Sequence, residues 1–206
     1  QRPVLYVNCV GVQDIGKTVY AFDGGSGVYD AAGRVTEGPG AFEAGNLTLD
    51  VPAGAAPFAR ADHTASGDGV ADIAQAIQYG TAAFMRRLKV RRVVIGISGG
   101  IDSAVAAALY ARLVPPGDLL LVSMPGPYTS PTTRGLARQI AERLGSRFTE
   151  IPIGAAVDLT RDQFAGLAVA GGGGLALDDT ALENVQARDR GSRVLSAAAA
   201  AFGGVI

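Results

Sequence analysis

The 206-residue chain has one cysteine, one histidine and no tryptophan, and each scarcity removes a class of protein. A single cysteine, Cys9, can neither close an internal disulfide nor assemble a thiolate zinc cluster. That excludes disulfide-stapled secreted scaffolds and structural zinc modules, and it suits the reducing cytoplasm. The one histidine, His63, has no candidate partners near it in sequence and is expected at the surface. Charge is sparse and balanced, 18 Lys and Arg against 19 Asp and Glu for a net charge of −1. The densest basic grouping is the Arg86-Arg87 and Arg91-Arg92 pairs flanking Lys89, so nucleic acid is not an expected partner. No run approaches the ~18 apolar residues of a membrane helix, and Gln1-Arg2-Pro3-Val4-Leu5 lacks the layout of a signal peptide, so no membrane partner is expected either.

What the chain has in quantity is glycine, 29 residues, and apolar side chains, 48% of the total, enough to bury a core in one or two domains. The two meet at Val93-Val94-Ile95-Gly96-Ile97-Ser98-Gly99-Gly100-Ile101-Asp102-Ser103-Ala104, where a β-branched strand breaks into Ser-Gly-Gly and restarts as an Ala-rich helix. A helix start leaves its first N–H groups unpaired and carries the positive end of the macrodipole, so it stabilises an anion. Paired glycines remove the Cβ atoms that would hold a phosphate off those donors, and they permit a backbone curled around oxygens. Ser98 and Ser103 add hydroxyls. Asp102 would repel phosphate unless a cation lay between, which points to magnesium, an ion that takes a carboxylate or two together with substrate phosphates. The run fits neither Gly-x-x-x-x-Gly-Lys-Ser/Thr nor Gly-x-Gly-x-x-Gly. A glycine turn that merely joins strand to helix is the plainer reading, but it requires neither the aspartate nor both serines.

Residues 4–8, 19–22, 27–29 and 47–51 read as short strands, separated by Asp23-Gly24-Gly25 and Asp30-Ala31-Ala32-Gly33, which suit hairpins or tight connections. From Pro52 through Gly69, Ala, Gly, Pro and Asp crowd together without an apolar period, as in a linker. Helical spacing begins at Val70, with Ile73, Ile77, Phe84 and Leu88 on one face, Thr81 filling the gap and Asp68 available as a cap. Strand and helix then alternate: strand 93–97, helix from about 102 to 113, strand 119–123, helix from about 132 to 144, strand 148–151. Continuous apolar strands between amphipathic helices imply a parallel sheet covered on both faces. Ligands of such sheets sit beyond the carboxyl ends of the strands, where Ser98 and Ser123 fall. Beyond Ile153 the pattern loosens, and Gly171-Gly172-Gly173-Gly174 reads as a flexible loop. The capping-box spacing Thr180-Ala181-Leu182-Glu183 then opens a last helix through Asn184, Arg188 and Arg190 to the alanines before Phe202.

The phosphate turn resembles the Ser-Gly-Gly-x-Asp-Ser signature of the ATP pyrophosphatases, which cleave ATP between its α and β phosphates and leave an adenylylated substrate. Three further segments, in the right order, resemble NAD synthetases within that group: Ser123-Met124-Pro125-Gly126-Pro127-Tyr128-Thr129-Ser130, Ile151-Pro152-Ile153 and Glu183-Asn184-Val185-Gln186-Ala187-Arg188-Asp189-Arg190-Gly191. Val7-Asn8-Cys9-Val10-Gly11, Phe22-Asp23-Gly24-Gly25-Ser26 and the turn at 30–33 resemble the closing strands of the nitrilase-like amidohydrolase domain that precedes the synthetase in glutamine-dependent members. The fold so implied is α/β. A parallel-sheet, adenine-nucleotide alpha-hydrolase-like domain occupies residues 70–206, after the C-terminal portion of an amidohydrolase (glutaminase) domain at 1–52 and a linker at 53–69.

The activity implied by the resemblance is ATP-dependent amidation of nicotinic acid adenine dinucleotide to NAD through an acyl-adenylate, with ammonia drawn from glutamine. By the same resemblance Gly96, Ile97, Ser98, Gly99, Gly100, Ile101, Asp102 and Ser103 hold ATP and pyrophosphate, and Asp102 holds Mg2+. Asn184 and Arg188, one helical turn apart on one face, would hold the dinucleotide; an arginine so placed is equally readable as a solvated or ion-paired group. Cys9 falls where the closing strands begin, not at that family's nucleophile, so a buried, inert strand cysteine is expected. The family's Gly-Asn-Lys-Ser-Glu and Thr-Leu-Tyr-Gly-Asp segments would begin past Ile206 and the glutaminase nucleophile would lie before Gln1. These residues are therefore expected to be part of something longer, with no catalytic set complete within them. Pairing into a homo-oligomer is expected from synthetases of this kind. Two other readings stay open: another ATP pyrophosphatase, tRNA-modifying or GMP-forming, and a nucleotide-binding part without turnover.

Overall fold

The computed structural model describes residues 4–16, 18–29, 35–46, 48 and 69–206. The chain divides into two compact units, Gln1–Leu88 and Lys89–Ile206.

In the first unit, strands β1 (Val4–Tyr6), β4 (Gly27–Tyr29) and β5 (Val35–Glu37) form an antiparallel sheet with β4 in the middle, and β2 (Val10–Asp14) pairs with β3 (Val19–Asp23) as a hairpin. Asp23-Gly24-Gly25 is therefore a tight connection between two sheets. β2 escapes a sequence reading because Gly11 interrupts its valines and Gln13 and Asp14 finish it; its pairing with β3 supplies the strand character. Cys9 is exposed, in the connection between β1 and β2, which corrects the expectation of a buried strand cysteine. β1 ends at Tyr6, and the Cys9 N–H turns to the neighbouring Asn8 Oδ1 at 2.9 Å.

Helix α1 (Gly69–Leu88) packs on the β2–β3 hairpin, where Gly80 lies beside Ala21, and Tyr79 stacks on Phe42 with ring centroids 4.6 Å apart. Its buried residue is Met85, while Ile73, Ile77 and Leu88 of the expected apolar face are exposed. The helix approaches its neighbours through small and aromatic residues instead of through its branched stripe. The strand at 47–51, the turn at 30–33, the cap Asp68, His63 and the linker up to residue 68 lie outside the described residues, Thr48 apart.

The second unit is built on three parallel strands, β6 (Val93–Gly96), β7 (Leu119–Ser123) and β8 (Arg147–Glu150), in that spatial order. Helices α2 (Ile101–Tyr110) and α3 (Pro131–Leu144) cross from each strand to the next. Right-handed crossovers in one direction put both on one face, and they approach closely through the fully buried alanines Ala107, Ala137 and Ala141. The opposite face carries a core of Val94, Val122, Ile153, Val157, Val194 and Ala199. It is covered by α4 (Gly154–Phe164), α5 (Asp179–Arg188), the π-helical turns of Asp189–Leu195 and α6 (Ser196–Phe202). After α6 the chain turns back, and Val205 bridges Val93 in parallel on the free side of β6, its carbonyl accepting from Val94 N at 2.7 Å. The expected parallel α/β sheet is thus present.

Two local expectations shift. The glycine run at 171–174 is closed by an Ala168–Gly174 bridge, with Leu175 N donating to Leu167 O. The last helix is capped two residues early, by Asp178, whose side chain accepts from Ala181 N at 2.7 Å.

At the amino ends of the strands, Arg92 pairs with Asp118 at 3.2 Å and donates to Phe202 O, and the guanidiniums of Arg92 and Arg147 both lie over the Phe202 ring. No helix among the described residues is long and apolar enough to cross a membrane. Ile153, fully buried where β8 passes into α4, tests the core. Ile153→Ala should lower the unfolding free energy by about 2–5 kcal/mol in urea denaturation, and a loss under about 1 kcal/mol would place the core elsewhere.

Candidate functional site

The chain runs outward from β6 to β7 to β8 and then returns to the other side of β6, so the carboxyl end of β6 opens on the crevice where the strand order reverses. The Gly96-to-Ser103 turn occupies that place. Ile97 continues the strand, donating to Val122 O at 2.9 Å, and its side chain is buried. Ser98 is exposed, Gly99 takes φ +84°, and Gly100 is the N-cap of α2 with no side chain closing the helix end. The α3 and α5 starts, by contrast, are closed by Ser130 and Asp178. The first N–H groups of α2 thus have no side-chain cap, as is also true of α4.

The two serines first serve the turn itself. Ser103 Oγ donates to Gly100 O at 3.0 Å and accepts from Ser98 N at 3.2 Å, and Ser98 Oγ accepts from Gly100 N at 3.2 Å while meeting Ser103 Oγ at 3.1 Å. This network holds the backbone curl in shape before any anion arrives. Gly99 is required by more than its φ: a Cβ there would collide with the Thr133 carbonyl oxygen, in the first turn of α3. Arg134, the next residue, grips Glu150 at the end of β8 with both ends of its guanidinium, Nε to Oε2 at 3.3 Å and Nη2 to Oε1. The Arg134 hydrogen bonds hold the Glu150 carboxyl below its ordinary range, and its charge and that of Arg138 add to the effect against partial desolvation. This pair fixes the start of α3, and with it Thr133, against the turn.

Asp102 is exposed in the first turn of α2. Among the described residues no three His, Cys, Asp or Glu gather into a metal-binding group. Asn184 and Arg188 share the exposed face of α5, where Arg188 Nη1 meets Asn184 Oδ1 at 3.5 Å and Asn184 Nδ2 donates to Thr180 O at 3.0 Å. The structure brings these two together and records no contact from them to the turn.

The sequence reading missed Gln186 and Arg190, which face inward from the same helix: Gln186 is buried, and Arg190 Nε donates to Met124 O at 3.1 Å. Their signal was the alternation within Asn184-Val185-Gln186-Ala187-Arg188-Asp189-Arg190, which sends neighbouring polar residues to different sides. A groove of about 470 Å³ in the first unit, between Leu5, Asn8, Val10, Ser26 and Val28, contains none of the expected site residues.

A parallel sheet with helices on both faces and a glycine turn at its switch point is the adenine-nucleotide alpha-hydrolase-like α/β fold. The chain belongs to the NAD synthase family, whose model matches residues 73–206. A glutamine-dependent NAD(+) synthetase of Rhodobacter capsulatus is 34% identical over 206 residues, taking in 99% of this chain and 36% of the relative. An NH(3)-dependent NAD(+) synthetase of Chlorobium phaeobacteroides is 38% identical over 106 residues, 52% of this chain and 35% of the relative. The solved glutamine-dependent NAD+ synthetase from Acinetobacter baumannii, in complex with ADP, superimposes with a TM-score of 0.74 at 27% identity, over 98% of this chain and 37% of that one. The chain spans 36% of the length of the first curated relatives it matches.

Gly99→Ala should cost roughly 2–4 kcal/mol, the sum of a left-handed alanine and overpacking against Thr133. Thermal and urea unfolding would read it, and a change within about 0.5 kcal/mol would mean the turn is free to move. The Glu150 carboxyl, depressed in the folded state, contributes stability above its unfolded pKa and loses it as pH falls through the folded value. The melting-temperature gap between wild type and Glu150→Gln should therefore hold steady above about pH 5 and shrink toward zero in acid. A gap that widened in acid would reverse the sign of the interaction.

Proposed function

We propose that residues 70–206 are the ATP-pyrophosphatase domain of an enzyme that amidates nicotinic acid adenine dinucleotide to NAD, acting in the cytoplasm. Residues 1–52 close a glutaminase domain that supplies ammonia, and residues 53–69 join the two. Helix α1 falls in the synthetase part by sequence and packs on the β2–β3 hairpin by contact. The observation that carries the reading is the α2 start: a helix end with no side-chain cap, behind a left-handed glycine, at the crevice of a parallel sheet. Backbone N–H groups there bind the phosphates of ATP, and Ser98 and Ser103 keep the curl from relaxing onto them. Asn184 and Arg188, whose side chains already meet, receive the acidic dinucleotide and orient its carboxylate toward the α phosphate.

An exposed carboxylate in the first turn of α2 suits magnesium, which takes most of its ligands from phosphate and water. Asp102 is the residue to hold it, and the ion would neutralise phosphate charge. The protein's share of catalysis is positioning and preorganised donors more than covalent chemistry. Attack by the carboxylate releases pyrophosphate and leaves an acyl-adenylate, from which ammonia displaces AMP. Copies of the enzyme are expected to associate.

The test is exchange of labelled pyrophosphate into ATP by the intact protein. Exchange should require nicotinic acid adenine dinucleotide and fall at least about a hundredfold in Asp102→Asn, the scale of losing one preorganised electrostatic group. Exchange that ignored the dinucleotide, or that survived in Asp102→Asn, would sink this reading. Glutamine-dependent NAD formation by the same preparation reports on the glutaminase assignment separately.

A further inference from the structure

We propose that Arg190 is a positioning residue for the nucleotide, locking the segment after β7 against the end of β6 so that it forms a fixed wall beside the phosphate turn. This rests on the ATP reading above. Arg190 is half-buried, and its Nε donates to Met124 O at 3.1 Å across 66 residues of sequence. Two residues on, Gly126 is held so close to the helix that an added Cβ would stand 2.8 Å from Gln186 Oε1 and 3.0 Å from Arg190 Nη2.

Met124 in turn lies over Gly96, the last residue of β6, where an added Cβ would meet Met124 Cε at 2.9 Å and Leu195 Cδ1 at 3.3 Å. One helical stretch therefore holds both parts, through Gln186 and Arg190 on the loop and through Leu195 on the strand end. Beyond Gly126 the loop is braced only locally, by the pair of bonds between Gly126 and Thr129, Gly126 N to Thr129 Oγ1 at 2.9 Å and Thr129 N to Gly126 O at 3.1 Å. Tyr128 at its crown is 88% exposed. The segment is held on the sheet side by Ile153 N, which donates to Pro125 O at 3.0 Å, and on the helix side by Arg190, whose planar guanidinium suits the task because one nitrogen reaches the Met124 carbonyl while another lies close to the glycine.

Two readouts on the intact protein test this: amide hydrogen exchange without nucleotide, and the dinucleotide-dependent pyrophosphate exchange. In Arg190→Gln the amides of residues 124–130 should exchange about tenfold faster and the KM for ATP should rise about tenfold, the worth of one charge-assisted hydrogen bond, with kcat nearly unchanged. Arg190→Lys, which keeps a donor for Met124 O and loses the planar fork, should recover part of both. Gly126→Ala should produce the same pair of changes, and adding Arg190→Gln to it should add little, since both break one contact. Uniform loss of protection across the whole second unit, an unchanged KM for ATP, or full additivity of the two substitutions would overturn the assignment. If wild type catalyses no pyrophosphate exchange, the ATP reading falls, and the protection of residues 124–130 still decides whether Arg190 holds that segment.

Discussion

The pairing of β6 on both sides is the constraint from which the rest follows. Four residues of β6 run parallel to β7, and on the opposite edge Val94 N donates to Val205 O at 2.7 Å. A strand so enclosed must be apolar on both faces, which is why Val93 and Val94 are both buried and why the segment reads as an uninterrupted hydrophobic run. Enclosure also fixes where the strand can let go. Beyond Ile97 the strand pairing ends, the chain enters the crevice between diverging connections, and polar residues become tolerable. The glycine turn is thus placed by the topology, and its residues then refine what the topology has made available.

The two ends of the sheet show how stability and binding divide. At the amino ends, Arg92, Asp118, Arg147 and Phe202 interlock through an ion pair, a hydrogen bond to a carbonyl and two cation–π contacts. At the carboxyl ends the arrangement is opposite in kind: Arg134 and Glu150, Arg190 and Met124, and the paired serines hold the backbone while leaving the α2 start uncapped. That helix end is exposed, so its first N–H groups face solvent and none of them is spent on packing.

Much of this was legible in the sequence. The strand-glycine-helix run encodes its geometry in residue types that allow little else, and β7 matches its apolar segment at both ends, because parallel strands buried on two faces leave no polar alternation to misread. Legibility failed where tertiary contact overrode local pattern. The branched stripe of α1 predicted the wrong buried face, since Gly80 and Tyr79 make the approach to β2 and β3. α4 was missed because Gly154-Ala155-Ala156-Val157-Asp158 begins without a capping residue, its N-cap position being the buried Ile153. Asp178 displaced Thr180 as a cap because a carboxylate two residues earlier reaches the Ala181 N–H, leaving the Thr180 carbonyl to accept from Asn184. At the site, Asn184 and Arg188 followed from helical spacing, whereas Arg190 needed the fold, for its partner is a backbone carbonyl that no residue type announces.

The π-helical stretch Asp189–Leu195 explains how one helix serves both roles. In a regular α-helix, residues two apart diverge by about 200°, so Arg188 and Arg190 must look to opposite sides, one to solvent and one to the sheet. The next inward position would then drift off the strand end. Widening the turns to an i→i+5 repeat slows that drift, keeping Val194 in the core and Leu195 on Gly96 while Arg190 reaches the loop. The wider helix makes poorer hydrogen bonds, and the bidentate Asp189–Arg193 pair lies along its flank to brace it. A local departure from ideal helix geometry thus aligns three contacts that regular geometry would spread apart, and all three lie at the end of the sheet where the glycine turn stands.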